Sequence, residues 1–408
     1  MTVLVIGGGA AGMMAAVTAA ANGHAVTVME HQPKTLRKLC ITGKGRCNLT
    51  NNCDLETFWH NVPGNPRFLY SSVSRFTPQD AMAFFESLGV PLKTERGNRV
   101  FPVSDRAYDV ADALVREARR LNVRIVEDEA RELVFSEDEV PRRVVGVRSG
   151  AHSYYAQHVI IATGGVSYPL TGSTGIGYDL ACQAGHTIVT PRASLVPLTA
   201  DVTTCAAMQG LSLKNTGFKL YKGSKLIYED FGELLFTHFG LSGPVVLSAS
   251  ARMKDDTGYR VVLDLKPALD EKQLDARILR DFAGQENRDL SNTLSTLLPR
   301  LMIPVVMRRM EVPPSRKVNS VTREERARLV QLLKRFEIEV TGKRPVEEAV
   351  ITAGGVSVRE VDPRTMASKK VRGLSFAGEV LDVDAYTGGF NLQIAWSTAR
   401  AAGGSLQA

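Results

Sequence analysis

Thr2-Val-Leu-Val-Ile6 runs directly into Gly7-Gly-Gly-Ala-Ala-Gly12, and the small-residue stretch Ala10–Asn22 follows, closed by Gly23. The first five residues are apolar and largely β-branched, as a strand buried on both faces of a parallel sheet requires. Ala25–Met29 reads as a second strand and ends at Glu30, an acid 18 residues beyond the last glycine of a G-x-G-x-x-G string. Each position has a mechanical reason. Gly7 permits the tight turn, Gly9 lets backbone approach a pyrophosphate, and Gly12 lets the helix pack on the strand. The helix start offers N–H groups and a positive dipole end to phosphate, and Glu30 accepts from a ribose hydroxyl. Strand, turn, helix, strand and acid in this order predict a dinucleotide-binding βαβ unit.

Working outward, three segments read as further parts of the same sheet. Val123–Ala130 is a strand after the helix Ala107–Leu121, His158–Ala162 runs into Thr163-Gly164-Gly165, and Gly373–Ala377 runs into Gly378-Glu379. The chain therefore leaves the nucleotide domain and returns to it near its C-terminus. Between these parts, Leu195–Leu265 alternates short strands with turn residues, and Pro267–Glu339 reads as amphipathic helices broken at Pro299, Pro304 and Pro313-Pro314. The expected organisation is an α/β nucleotide-binding domain in two parts, 1–190 and 349–408, enclosing a β-rich insert at 191–266 and a helical, basic insert at 267–348.

The 408 residues are 44% hydrophobic and 23% charged, which excludes a disordered or fibrous chain. The N-terminus has no basic region or cleavage site of a secretory signal. The longest small-apolar run, Ala10–Ala21, falls short of the roughly 20 residues of a membrane span. A cytoplasmic protein without membrane partners is expected. Cys40, Cys47, Cys53, Cys182 and Cys205 are odd in number and lack a Cys-x-x-Cys pair, so neither a disulfide framework nor a metal site is expected. The formal charge is +7, and the segment 300–345 alone carries 12 Lys/Arg against 5 Asp/Glu. A local basic surface suits RNA, a phosphorylated cofactor or a solvated helix face.

NAD as a soluble hydride carrier needs only the first fingerprint, whereas bound FAD predicts further glycine contacts late in the chain, where its ring meets backbone. The chain has them: Thr163-Gly164-Gly165, then Gly378-Glu379-Val-Leu-Asp382, then Thr387-Gly388-Gly389-Phe390-Asn391-Leu392-Gln393 leading into the apolar helix Ile394–Ala402. That helix start would face the ring edge that carries negative charge when flavin is reduced. Thr171-Gly-Ser-Thr-Gly-Ile-Gly177 looks like a phosphate cradle but lacks the Gly-Lys-Ser/Thr ending of a P-loop.

These strings, with Gly43–Asn51 (GKGRCNLTN) and Leu234–Pro244 (LLFTHFGLSGP), resemble the BaiN-like, aminoacetone-oxidase-type NAD(P)/FAD-dependent oxidoreductases over nearly the whole chain. Lys44 stands where that pattern often has glycine. The resemblance implies FAD in a discontinuous glutathione-reductase-like Rossmann domain, with a β-barrel-like insert and a helical insert. It implies that Gly7, Gly9, Ala11, Gly12 and Glu30 hold the ADP moiety and that Ala130 places its backbone against adenine. Lys38 and the loop Gly45, Arg46, Cys47 and Asn48 would run beside the pyrophosphate and flavin. Thr163 and Gly164 would pass near the ribityl chain. Gly378, Glu379 and Asp382 would close on pyrophosphate and ribitol, and Gly389, Phe390, Asn391 and Gln393 on the ring.

Flavin supplies the redox step, so the protein contributes binding, a proton donor and exclusion of water. Cys47 and His238 are the reactive side chains within the shared motifs, with Cys47 as proton donor and His238 as acid/base or substrate ligand; a buried small side chain and a structural histidine are the plainer readings. Arg46 would pair with phosphate or brace its loop, and Tyr168 and Tyr386 would line the ring or the core. The leading expectation is reduction of a C=C bond in a small unsaturated substrate with NAD(P)H as donor. Reduction of uridine to dihydrouridine in ribosomal RNA is the alternative, followed by amine oxidation and by a flavin-carrying RNA-binding role without turnover. No second G-x-G-x-x-G marks a nicotinamide domain, so the donor would dock on the flavin face or be a partner reductase.

Overall fold

A computed structural model describes residues 1–137 and 139–406. The chain divides into two compact units, Met1–Ser194 with Val346–Ala408, and Leu195–Pro345.

The first unit is built on a five-stranded parallel sheet. β1 (Thr2–Ile6) is followed by α1 (Ala10–Ala21) and β2 (Ala25–Glu30). Later come α2 (Ala107–Arg120), β3 (Arg124–Glu127), β4 (His158–Ile161) and α3 (Ile176–Gln183). The strand Leu374–Phe376 returns to the edge, giving the order Leu374–Phe376, β4, β1, β2, β3. β1 is central, with Val5 opposite Val28 on one side and Ile160 on the other. Val3 to Ile6 are all buried, as its apolar composition anticipates.

Small residues on α1 let it approach its neighbours closely. An added Cβ on Gly403, in the C-terminal helix Phe390–Gly404, would lie 2.5 Å from Ala15 O on α1. At such a distance only glycine preserves the packing, since interiors have no slack for an extra methyl. The hydrophobic core of this unit joins both helices to the sheet and includes the buried Met13, Met14, Phe58, Phe85, Phe376 and Trp396.

The second unit contains a closed six-stranded barrel. Its strands follow the order Leu198–Ala200, Gly240–Ser242, Lys225–Thr237, Ser212–Lys222, Tyr259–Asp264 and Phe336–Lys343. The last pairs antiparallel with the first and closes the ring. This corrects the expected division at 266, because the helices are nested inside the barrel's sequence and Phe336–Lys343 is a strand. Phe336, Ile338, Val340 and Gly342 alternate with more exposed positions, a period of two that belongs to a barrel wall. The helices Glu271–Phe282 and Arg323–Lys334 begin with capping boxes, Asp270 with Gln273 and Thr322 with Glu325. Their buried faces (Leu274, Ile278 and Phe282; Leu329, Val330 and Leu333) share one core with barrel residues Phe218, Phe236 and Phe336. Among the described residues, no helix is long and apolar enough to cross a membrane.

Candidate functional site

The first unit opens a cleft at the C-terminal ends of β1, β2 and β4, where open parallel sheets place their ligands. Its empty space, including the part open to solvent, is about 1300 Å³. Gly7 adopts φ +98°, and an added Cβ there would stand 2.6 Å from Ala162 O. Gly12 is tighter, with a Cβ position 1.8 Å from Gly7 O. Gly9 differs in kind: no atom of the protein lies within 4 Å of its Cβ position, and Gly9 lines the cleft at the start of α1. The close packing accounts for Gly7 and Gly12, and open space faces Gly9.

Glu30 closes the loop over this turn. Its carboxylate accepts from Gly8 N at 2.7 Å and Gln32 N at 2.8 Å. Farther along the cleft, Lys38 Nζ donates to Glu379 Oε2 at 2.7 Å and to Ser167 Oγ at 2.7 Å. Glu379 Oε1 also accepts from Ser167 Oγ at 3.0 Å and Thr352 N at 2.8 Å. Thr352 Oγ1 in turn accepts from Val166 N and Ser167 N, so three remote chain segments fix one carboxylate. The C-terminal helix starts at Gly389, at φ +102°, where a Cβ would lie 2.3 Å from Thr50 O. Asn391, Leu392, Ile394 and Ala395 present that helix start to the cleft. Its first turn leaves N–H groups without intrahelical partners, the usual recipe for an anion-stabilising edge.

The structure therefore gathers Gly7, Gly9, Ala11, Glu30, Lys38, Ala130, Thr163, Gly164, Glu379 and Asn391 around one cleft. Gly12 and Gly378 support it from behind: Gly378, at φ +76°, brings its Cβ position within 2.6 Å of Ala11 Cβ. Other expected contacts turn inward. Gln393 is fully buried, accepting from Thr50 Oγ1 at 2.6 Å and donating to Phe76 O at 2.9 Å. Phe390 is buried with its ring edge-on to Phe58. The Asn391 amide bonds Ala385 N and O, which shapes the preceding loop. Asp382 accepts from Asn65 through its backbone and side chain. These side chains brace the loop from within the protein.

The Gly45–Asn48 loop departs furthest from expectation. Arg46 pairs with Glu95 and Asp105 and lies over the Phe101 ring at 4.1 Å, so it braces its own loop. Gly45 takes φ +84° and lies off the cleft lining. Asn48 Oδ1 is buried without a partner. Cys47 has no exposed surface, and burial pushes its thiol up to about 12. Cys47 packs in the core as a small side chain and is absent from the cleft lining, which supports the plainer of its two readings. His238 belongs to the second unit, exposed in the turn between two barrel strands and edge-on to the Phe239 ring. Of the two tyrosines, Tyr168 is partly exposed at φ +52° and Tyr386 is buried, and neither lines the cleft.

Sequence reasoning missed the walls supplied by His31, Thr42, Asp128, Val350 and Ile351. The cradle-like string Thr171–Gly177 supplies a further wall, with Thr171, Gly172, Ser173 and Ile176 lining the cleft.

The model of the HI0933-like protein Rossmann domain matches residues 1–405. The chain belongs to this family. Among curated relatives it is 31% identical to the ribosomal RNA dihydrouridine synthase of Escherichia coli over 402 residues, covering 97% of this chain and 95% of that one. It is 32% identical to the Haemophilus influenzae protein of the same name, covering 98% and 96%. A 3-dehydro-bile acid delta(4,6)-reductase of Clostridium scindens is 29% identical, covering 98% and 97%. In fold the chain resembles the 3-ketosteroid-delta4-(5alpha)-dehydrogenase of Rhodococcus jostii RHA1, with TM-score 0.52, 15% identity and coverage of 99% and 96%. This HI0933-like protein is an FAD-dependent oxidoreductase.

The residues present fit that cofactor. Thr163 Oγ1 and His31 Nε2 are buried without partners within the protein, and both residues line the cleft. Open space at Gly9 suits a pyrophosphate, the Glu30 carboxylate a ribose, and the C-terminal helix start an electron-rich ring edge. FAD held there supplies two-electron chemistry. The chain's own part is to bind, orient and shield it, through the α1 turn, the Lys38–Glu379 clamp and the braced loop before Phe390.

Proposed function

We propose that this protein reduces a carbon–carbon double bond, with a uridine base of ribosomal RNA as substrate and NAD(P)H as the donor of reducing equivalents. The observation that carries the reading is shared bond chemistry among its relatives. Dihydrouridine is uridine with two hydrogens added across a ring C=C bond, and a delta(4,6)-reductase also saturates C=C bonds. The second unit favours RNA: its residues 195–345 carry 24 Lys/Arg against 18 Asp/Glu, nearly all of the chain's excess charge. A small unsaturated substrate is the second reading, favoured by the bile-acid reductase matched over almost its full length.

The test mixes the flavin-loaded protein anaerobically with NADPH or NADH and follows bleaching of the flavin band. Unmodified ribosomal RNA is then added, digested and analysed by mass spectrometry, with a panel of enones in parallel. Uridine that gains two hydrogens, in a reaction weakened by added salt, is the expected result. Reoxidation by enones alone would select the small-molecule reading. Oxygen uptake with amines, and with none of these acceptors, would overturn both.

A further inference from the structure

We propose that Lys44 binds a phosphate of the RNA strand that carries the target uridine, an assignment that rests on the RNA reading given above. The stretch Lys34–Arg46 holds Lys34, Arg37, Lys38, Lys44 and Arg46 and no acidic residue. Two of these charges are neutralised in place, Lys38 by Glu379 and Arg46 by Glu95 and Asp105. Lys34 and Arg37 line the cleft at its glycine-turn end, where Leu36 N donates to Gly8 O at 2.9 Å. Lys44 differs from all of them: it is exposed, and its ammonium makes no ion pair or hydrogen bond with any described residue. Its charge is left for an anion that arrives from outside.

The backbone holds this lysine where a side chain is costly. Gly43, Lys44 and Gly45 have φ +57°, +61° and +84°, a left-handed turn spanned by Cys47 N donating to Thr42 O at 3.0 Å. Glycine adopts that conformation freely, whereas a residue with a Cβ is strained in it. Position 44 therefore carries strain for a side chain that serves no bond within the protein, and strain of this kind collects at ligand-binding positions. The turn is anchored at the end of the cleft assigned to the flavin ring. Thr42 lines the cleft, the Cβ position of Gly43 is 2.9 Å from Asn48 N, and Thr50 O meets Gly389 at the start of the C-terminal helix. Lys44 does not line the cleft; it is exposed on the turn two residues beyond Thr42. A uridine presents its C=C bond only when it is unstacked and turned out of its strand, and it then brings its flanking phosphates to the cleft mouth. A lysine ammonium on its long stem suits such a phosphate as a point charge. The cofactor's own pyrophosphate belongs at Gly9, so the anion at Lys44 is the substrate's.

The test uses Lys44→Gly, Lys44→Gln and Lys44→Arg in the flavin-loaded full chain, with unmodified ribosomal RNA as substrate and neutral and carboxylated enones as controls. Dihydrouridine formation is followed by mass spectrometry across a salt series, FAD affinity by fluorescence titration and folding by thermal melting. Lys44→Gly and Lys44→Gln should each raise KM for RNA about fivefold and reduce the slope of log KM against log salt by about 1. Lys44→Arg should keep both near the wild type. Lys44→Gly should melt no lower than the wild type, because it relieves strain, and all three should bind FAD as the wild type does. Unchanged KM and salt slope in Lys44→Gly and Lys44→Gln would make Lys44 a solvated surface charge and overturn the proposal. A loss in Lys44→Gly that Lys44→Gln does not share would assign the effect to the backbone and overturn it too, as would weaker FAD binding. A KM raised only for carboxylated enones would move the contact to a small anionic substrate and overturn the RNA assignment. A wild-type chain that neither binds nor reduces ribosomal RNA would instead remove the RNA reading, and the proposal with it.

Discussion

Gly9 and Gly12 occupy one motif, yet the structure gives them separable tasks, and paired alanine substitutions should separate them. Gly9 has φ −77° and ψ −170°, which alanine also adopts, and its Cβ position meets no protein atom within 4 Å. Gly9→Ala restricts the unfolded chain, worth about 0.4–1 kcal/mol, and loses a somewhat better N-cap residue of similar weight. The net effect on the flavin-free chain should stay within about 1 kcal/mol. Its cost falls on the cofactor, because the new methyl stands where backbone must approach the pyrophosphate. FAD affinity should drop by at least tenfold, about 1.4 kcal/mol. At Gly12, by contrast, the methyl would stand 1.8 Å from Gly7 O, so α1 must move off β1. Overpacking of this kind costs about 1–3 kcal/mol, and the short distance argues for the upper end. At roughly 2–4 °C per kcal/mol, Gly12→Ala should melt about 6–12 °C lower even without flavin. Thermal unfolding of flavin-free chains and FAD titration by fluorescence quenching measure the two effects. A Gly9→Ala chain that binds FAD like the wild type would refute the placement of the pyrophosphate.

Cys47→Ala should leave turnover unchanged and cost about 1 kcal/mol of stability for one buried sulfur, read by steady-state assay and denaturant unfolding; a large loss of turnover in a well-folded variant would reinstate the proton-donor role. His158 should make folding acid-sensitive. Burial, then Arg143 and His24, lower its pKa from 6.5 to about 4. Between those values the unfolded chain binds a proton that the folded chain refuses, so stability falls as pH drops through this window, by up to about 3 kcal/mol. His158→Gln, which keeps a polar partner for Ser375 Oγ at 2.8 Å, should flatten the melting temperature between pH 6.5 and 5.

What was legible in the sequence is what local chemistry determines. β1, α1 and β2 emerge within a residue of their expected limits, because apolar runs, small residues and glycine stops act over a few positions. The barrel was half legible. Its strands carry turn signals, but closure pairs Leu198–Ala200 with Phe336–Lys343 across the intervening helices, and no local pattern encodes so remote a partner. The cleft shows the same divide. Gly7, Gly9 and Glu30 were readable from type and spacing, whereas Lys38 and Glu379 entered only through the family resemblance. Arg46 and Gln393 were not: an arginine in a motif looks like a phosphate ligand until Glu95 and Asp105 appear beside it, and Gln393 looks like a ring contact until Thr50 and Phe76 take up its amide. The motif strings in this chain thus mix residues facing the cleft with residues that brace the loops carrying them. Only three-dimensional accounting of hydrogen bonds tells them apart: Arg46 and Gln393 spend theirs within the protein, whereas Thr163, which lines the cleft, leaves its hydroxyl unspent.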